Sequence, residues 1–219
     1  MPEPLTTSDR PRLFLLDGHA LAYRAHFALV RAPLVTSRGI HTSAVFGFLQ
    51  TLDRVREQER PEEIVVVFDT PEPTFRHRAY PEYKATREKM PEELVPQLAW
   101  IREIVECQGL PVLGVPGWEA DDVIGTLARQ GAEAGKDVWI VSGDKDMLQL
   151  VTDRVRLYNV LKPSQGEASI LGPAEFVNRW CQDHVRKSTG KELDLSADRE
   201  PMRTALADPR EPTAAKAYE

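Results

Sequence analysis

Cysteine is nearly absent from this chain: Cys107 and Cys181 stand far apart and match neither a disulfide framework nor a metal-ligand spacing. The histidines, His19, His26, His41, His77 and His184, form no cluster, so none is assigned as a ligand. Long apolar runs are lacking too. The longest are of strand length, which excludes a transmembrane helix. Met1 to Arg12 is polar and proline-bearing, without the apolar stretch of a secretory signal. Nor is there an excess of positive charge: a net charge of −6 argues against a protein that simply coats nucleic acid. An enzyme acting on nucleic acid stays within these bounds, because a carboxylate-lined site makes a chain acidic while a local basic patch grips phosphate. No internal repeat is visible. The expectation is a cytoplasmic, monomeric protein with no membrane partner.

What the chain does contain is apolar material, 42% of 219 residues, enough for one sizeable core. It falls into short continuous runs at 12–16, 63–68, 110–115, 137–141 and 155–160, as strands buried on both faces require. Between them the spacing changes to helical period. Helices are expected over 20–29, from an N-cap at Ser43, from Pro91-Glu92-Glu93, from about Ala120 to Gly131 or Gly135, and briefly over 147–151. Strands alternating with helices predict an α/β fold: a mainly parallel, twisted sheet with helices on both faces. Residues 1–11 read as a flexible tail and 12–162 as the folded domain. The segment 163–219 reads as a divergent, partly helical tail, with one helix over 170–187 and a proline-bearing, weakly ordered end.

The acids are distributed with a pattern. Asp17 ends the first strand, Asp69 ends the second, Glu119, Asp121 and Asp122 follow the third, and Asp144 and Asp146 follow the fourth. Ligands of open α/β sheets bind outside the carboxyl ends of the strands, so these acids are expected at one edge. That many anions close together must protonate or hold cations. An oxygen-only donor set suits a hard ion such as Mg²⁺ or Mn²⁺. A pair of such ions about 3.5–4 Å apart suits in-line attack of water on a phosphodiester.

The stretch from Thr70 to Met90 has the opposite character. Arg76, Arg78, Lys84, Arg87 and Lys89 surround Phe75, Tyr80 and Tyr83, with few aliphatic residues. Cations neutralise phosphates, and aromatic rings stack on the bases of a single strand.

Together, Leu15-Leu16-Asp17-Gly18-His19 with Tyr23-Arg24, Val66-Val67-Phe68-Asp69, Phe75-Arg76 through Tyr83-Lys84, Glu119-Ala120-Asp121-Asp122 and Gly143-Asp144-Lys145-Asp146 resemble the 5′-nuclease family. That family comprises the 5′→3′ exonuclease domain of bacterial DNA polymerase I and the related flap endonucleases. The resemblance covers about residues 12–162, with the motifs in family order. It implies a PIN-like α/β fold with a helical arch at about 70–90, and metal-dependent hydrolysis of 5′ flaps and 5′ ends of DNA, or of an RNA primer, with a DNA polymerase as partner. By the same resemblance Asp17, Asp69, Glu119 and Asp121 hold a first divalent ion. Asp144 and Asp146 hold a second, Asp121 lies between the two, and Asp122 is close by. Lys84 and Arg87 steer the scissile phosphate and count as catalytic with Asp69 and Asp121. Arg24 and Arg76 bind phosphate, and Tyr80 or Tyr83 stacks on the strand.

The chain departs from the family downstream. The Gly-Asp-x-Ser-Asp-Asn segment, which adds two carboxylates to the second metal site, is absent, as is the helix-hairpin-helix that holds duplex DNA. The second metal site is therefore expected to be incomplete. Two further readings stay open: a catalytically weak DNA-binding remnant of such a nuclease, and a PIN-like ribonuclease, against which the long arch argues.

Overall fold

The computed structural model describes residues 9–87, 89–159 and 169–171. Its elements follow the expected alternation. Strand β1 (Arg12–Asp17) leads into helices α1 (Gly18–Ala28) and α2 (Ser43–Arg54), then strand β2 (Glu63–Val67). A five-residue helix α3 (Phe75–Ala79) and helix α4 (Val95–Cys107) precede the two-residue strand β3 (Val112–Leu113). Helix α5 (Ala120–Glu133), strand β4 (Asp137–Val141), a 3-10 turn (Asp146–Leu150) and strands β5 (Val155–Asn159) and β6 (Ser169–Leu171) follow. The strand order is β3-β2-β1-β4-β5-β6. The pairs β1–β2, β1–β4, β2–β3 and β4–β5 are all parallel. The described residues up to Ile170 belong to one compact unit. The helix expected over 170–187 does not begin at Ile170, since Ile170 and Leu171 belong to β6; residues 172–187 and most of the 163–219 segment lie outside the described residues.

Alternation along the strands builds a core on each face. Phe14, Leu16, Ile64, Val66, Trp139 and Val141 meet Leu21 and Ala22 of α1, Phe48 and Leu52 of α2, and Ile101 and Val105 of α4. On the other face α5 lies close over the sheet. A Cβ at Gly131 would stand 2.9 Å from Val138 and 3.0 Å from Leu13, so the helix backbone itself approaches β1 and β4. Between α1 and α2 the contact is as tight: a Cβ at Gly47 would come within 2.6 Å of the Ala25 Cβ. Among the described residues, no helix is long and apolar enough to cross a membrane.

Several boundaries differ from those expected. Ser43 is the first residue of α2 rather than its cap, because its hydroxyl accepts the Leu34 amide from the preceding loop at 2.8 Å. Pro91-Glu92-Glu93 forms a turn closed by Leu94 N–H on the Pro91 carbonyl, and the helix starts at Val95 with a proline in its first turn. The third strand shrinks to Val112–Leu113, since only those residues pair with β2. Before Pro61, α2 widens into a π-helical turn over Val55–Glu59 and stops at Arg60, whose φ of 46° is left-handed. The arch segment holds one short helix, α3, followed by consecutive turns over residues 81–86.

Candidate metal and nucleic-acid site

Strand order reverses between β1 and β4, and that switch point is where an open α/β sheet forms a crevice at its carboxyl edge. Asp17, the last residue of β1, is buried there at 3% exposure. It caps α1: its Oδ1 accepts the Ala20 amide at 3.0 Å. Its Oδ2 accepts from the Ser142 hydroxyl at 3.0 Å, and Ser142 Oγ in turn accepts the Asp144 amide at 3.0 Å. One hydroxyl thus ties the end of β1 to the loop after β4. Burial pushes the Asp17 carboxyl up to about 6; the two hydrogen bonds oppose this, and the charges of Asp69 and Asp144 add to it.

The end of β2 is joined to the same edge. Asp69 Oδ1 accepts the Ala120 amide at 2.7 Å, satisfying one of the open donors at the start of α5. The Asp69 amide donates to His19 Nδ1 at 3.1 Å, which leaves the imidazole proton on Nε2. Burial lowers the His19 pKa, with the Asp69 charge opposing. Gly117, at φ +84°, turns the chain into α5, with Glu119 in extended conformation as the N-cap and the Asp122 carboxylate accepting the Glu119 amide at 3.1 Å. Asp121 occupies the first turn, and burial and the charges of Asp17, Asp144, Asp69 and Glu119 push it up to about 7. By surface area the residue is exposed, so water still reaches it between its neighbours.

Cations of the arch segment meet these acids from one side. Lys84 Nζ bonds Glu119 Oε1 at 2.8 Å, and the Tyr83 hydroxyl donates to Glu119 Oε2 at 3.2 Å. Arg76 makes a two-pronged pair with Asp122, at 2.6 and 2.8 Å, and reaches Glu119 at 3.9 Å. The pair raises the Arg76 pKa and lowers that of Asp122. Lys84 holds its position with a left-handed φ of 58°, an uncommon state for a residue with a side chain. Arg24, Lys145, Gly143, Asp144 and Ala20 line an open cleft of about 440 Å³. A second cleft of about 290 Å³ runs along Asp69, Thr74, His77, Lys84 and Glu119.

The expected residues therefore separate. Asp17, Asp69, Glu119, Asp121 and Asp144 share one electrostatic neighbourhood. Asp122 is turned to Arg76, and Asp146 is exposed on the 3-10 turn, where its amide bonds Asp144 Oδ1 at 2.9 Å; neither is among the acids that raise Asp121. Arg87 is exposed, with its charge felt by the Tyr23 hydroxyl, and the Tyr80 hydroxyl bonds Glu82 within the arch. Ser142, His19 and Lys145 were missed by sequence reasoning. Their signal is adjacency to the strand-end acids, with His19 and Lys145 standing inside motifs that carry the resemblance. Among the described residues, no group of three or more His, Cys, Asp or Glu side chains is arranged to hold a metal ion. Glu119 and Asp122 are each bonded to arch cations, and Asp17 and Asp69 to backbone amides. The donor chemistry nevertheless fits a hard divalent cation: five carboxylates, two of them driven toward protonation, gain from a positive charge among them.

Comparison with known proteins bears on the same residues. Residues 12–181 match the family described as 5′-3′ exonuclease, N-terminal resolvase-like domain. DNA polymerase I of Chloroflexus aurantiacus is 49% identical over 189 residues, 86% of this chain and 19% of that protein. A 5′-3′ exonuclease of Aquifex aeolicus is 46% identical over 147 residues, 67% of this chain and 50% of that protein. The chain thus spans half or less of the length of these relatives. In fold it is similar to a zinc-bound 5′-exonuclease of bacteriophage T5, at 22% identity and a TM-score of 0.55, covering 74% of this chain and 58% of that one. A bacteriophage T5 flap endonuclease with DNA and metal ions gives a TM-score of 0.55 at 18% identity, covering 89% of this chain and 74% of that one. With most of its length matched, and with the strand-end acids gathered at the sheet's switch point, this chain belongs to the 5′-3′ exonuclease N-terminal domain family.

Proposed function

We propose that the chain is a divalent-metal-dependent 5′-nuclease domain that hydrolyses phosphodiesters at 5′ flaps and 5′ ends of DNA. The observation that carries this reading is the meeting of Asp17, Asp69, Glu119, Asp121 and Asp144 at one sheet edge with Lys84 bonded to Glu119. Asp17, Asp69, Glu119 and Asp121 would hold the first Mg²⁺ or Mn²⁺, and Asp144 the start of a second site. A cation bound there supplies Lewis acidity toward a phosphoryl oxygen.

The chain's own residues supply the rest. Ser142 and the Ala20 amide fix the Asp17 oxygens, and the Ala120 amide fixes Asp69. Lys84 and Arg76, both within reach of Glu119, present positive charge to a phosphate arriving at the acids. Arg24 and Lys145 do the same from the cleft they line with Asp144. Arg87 and Tyr80, exposed on the arch segment, meet the incoming strand farther out. Asp122 serves as the anchor of Arg76.

The polymerase relative carries its matching segment as 19% of its length, which supports joint action with a polymerase. A DNA substrate in turn supports a cytoplasmic location. The weak-remnant reading draws on the exposed Asp146, which is not among the acids that raise Asp121. One experiment separates them: purified protein with a 5′-flap DNA and Mg²⁺ or Mn²⁺ is expected to release the flap, and Asp69→Ala to stop it. Flap binding without cleavage selects the remnant. Cleavage that survives Asp69→Ala overturns the proposed site. Preference for unstructured RNA over flap DNA selects the ribonuclease.

A further inference from the structure

Trp118 and Phe75 are large aromatic residues that the core does not use. They are 49% and 41% exposed, and their ring centroids lie 4.9 Å apart with planes tilted by 52°. A stacked pair hides its faces against each other; this tilted pair leaves ring surface in water. The pair is not loosely held. The Phe75 amide donates to the Gly117 carbonyl at 2.9 Å, fixing the start of α3 to the loop that enters α5. The Arg76 guanidinium covers the Phe75 ring at 4.5 Å from its centroid while bonded to Asp122. Phe75 thus serves as backing, and the indole beside it is the more open surface.

Position gives the exposed ring a meaning. Trp118 immediately precedes Glu119, and Phe75 immediately precedes Arg76, so the rings flank the acidic edge on the arch side. A second group stands with them. The Arg78 guanidinium lies over Gly117, 3.8 Å from where a Cβ would stand. Among the described residues it has no carboxylate partner, unlike Arg76, whose charge is met by Asp122 and Glu119. A half-exposed indole, with an unneutralised guanidinium over the glycine that precedes it, offers what the two halves of a nucleotide take, a flat surface for the base and a charge for the phosphate.

We propose that Trp118, backed by Phe75 and flanked by Arg78, is a subsite for one unpaired nucleotide of the strand at the acidic edge. The base stacks on the indole and the phosphate meets Arg78. This rests on the nuclease reading above and adds a contact that reads only single-stranded character, since a paired base has its faces covered by its neighbours. Either DNA or RNA offers the same base face.

The test uses the whole chain in EDTA, so that binding is read without turnover, with fluorescence anisotropy on a 5′-flap DNA, the same flap with abasic nucleotides, and an RNA flap. Trp118→Leu is expected to weaken binding of both intact flaps about tenfold, and Trp118→Phe to retain most of it. The abasic flap is expected to bind the wild type about as weakly as the intact flap binds Trp118→Leu, with no further loss in that variant. Arg78→Gln is expected to lower the slope of log affinity against log salt by about one, with or without bases. Equal binding by wild type and Trp118→Leu, or equal loss on the abasic flap in both, overturns the subsite. Cleavage with Mn²⁺ is scored separately. Protein that cuts normally but does not depend on Trp118 overturns the subsite alone. Protein that binds through Trp118 without cutting overturns the nuclease reading alone, and protein that binds no flap overturns both.

Discussion

Ser142 and Asp17, 125 residues apart in the chain, are joined by a 3.0 Å hydrogen bond from the serine hydroxyl to Asp17 Oδ2. The buried Ser142 Oγ in turn accepts the Asp144 amide, so one side chain sets an acid at the end of β1 and another in the loop after β4. Groups that orient metal ligands typically change metal affinity about 10–100-fold when removed. Ser142→Ala is expected to weaken Mn²⁺ binding by that order in isothermal titration calorimetry, and Ser142→Thr to retain it.

Asp122 and Asp17 separate in the same assay. Asp17→Ala removes a carboxylate from the crevice and is expected to abolish tight Mn²⁺ binding. Asp122→Ala is expected to cost far less metal affinity but to weaken DNA binding, because Arg76 loses the partner that holds it at 2.6 and 2.8 Å. Equal loss of metal binding in both variants would return Asp122 to the ligand set.

The pH dependence of stability has a definite sign. Asp17 and Asp121 titrate near 6 and 7 in the fold, above their ordinary value of 3.8. The folded chain therefore keeps protons that the unfolded chain has released, and the stability this gives is complete below 3.8 and lost as pH rises through 6 and 7. For buried Asp17 the loss is roughly 3 kcal/mol at most, on the usual conversion of a pKa change. In EDTA the melting temperature of the wild type is expected to fall, relative to Asp17→Asn, as pH rises from about 4 to about 6, and to change little above that. Added Mg²⁺ is expected to recover it at the upper end. A difference between the two proteins that stays constant with pH would contradict the assignment.

Lys84 combines a contact with a strained backbone. Lys84→Ala and Lys84→Gly both lose the 2.8 Å bond to Glu119, but only glycine accepts a φ of 58° without a Cβ penalty. Urea unfolding is expected to find the glycine variant more stable than the alanine variant by about 1 kcal/mol. Both are expected to cut flap DNA slowly, and normal cleavage by either would remove Lys84 from the catalytic set.

Gly47 tests the helix packing beneath the site. A methyl there would meet the Ala25 Cβ at 2.6 Å, so Gly47→Ala must push α1 from α2. The expected cost is about 1–3 kcal/mol in chemical denaturation. An unchanged midpoint would show that the two helices are free to separate.

The elements most legible in advance were those decided by local pattern. Continuous apolar runs gave β1, β2, β4 and β5 nearly to the residue, since burial on both faces of a parallel sheet leaves little freedom of composition. Boundaries resting on a single residue type fared worse. Pro91 looked like a helix start, but the turn at Pro91–Leu94 took precedence, and Ser43 looked like a cap, but the Leu34 amide claimed its hydroxyl.

Sequence by itself determined that acids stand at or after the ends of four strands of a parallel sheet, from which Asp17, Asp69, Glu119, Asp121, Asp122, Asp144 and Asp146 are all expected near one edge. That follows from strand ends, which are local. Tertiary structure alone decided which acids face one another and which are taken up by cations. Arg76 claims Asp122 across 46 positions and Ser142 holds Asp17 across 125, because ion pairs and hydrogen bonds depend on distances in space that no spacing along the chain encodes. It also decided that Trp118 stays in water beside Arg78: hydrophobicity along the chain marks an indole as core material, and only the packed fold leaves it a face to offer.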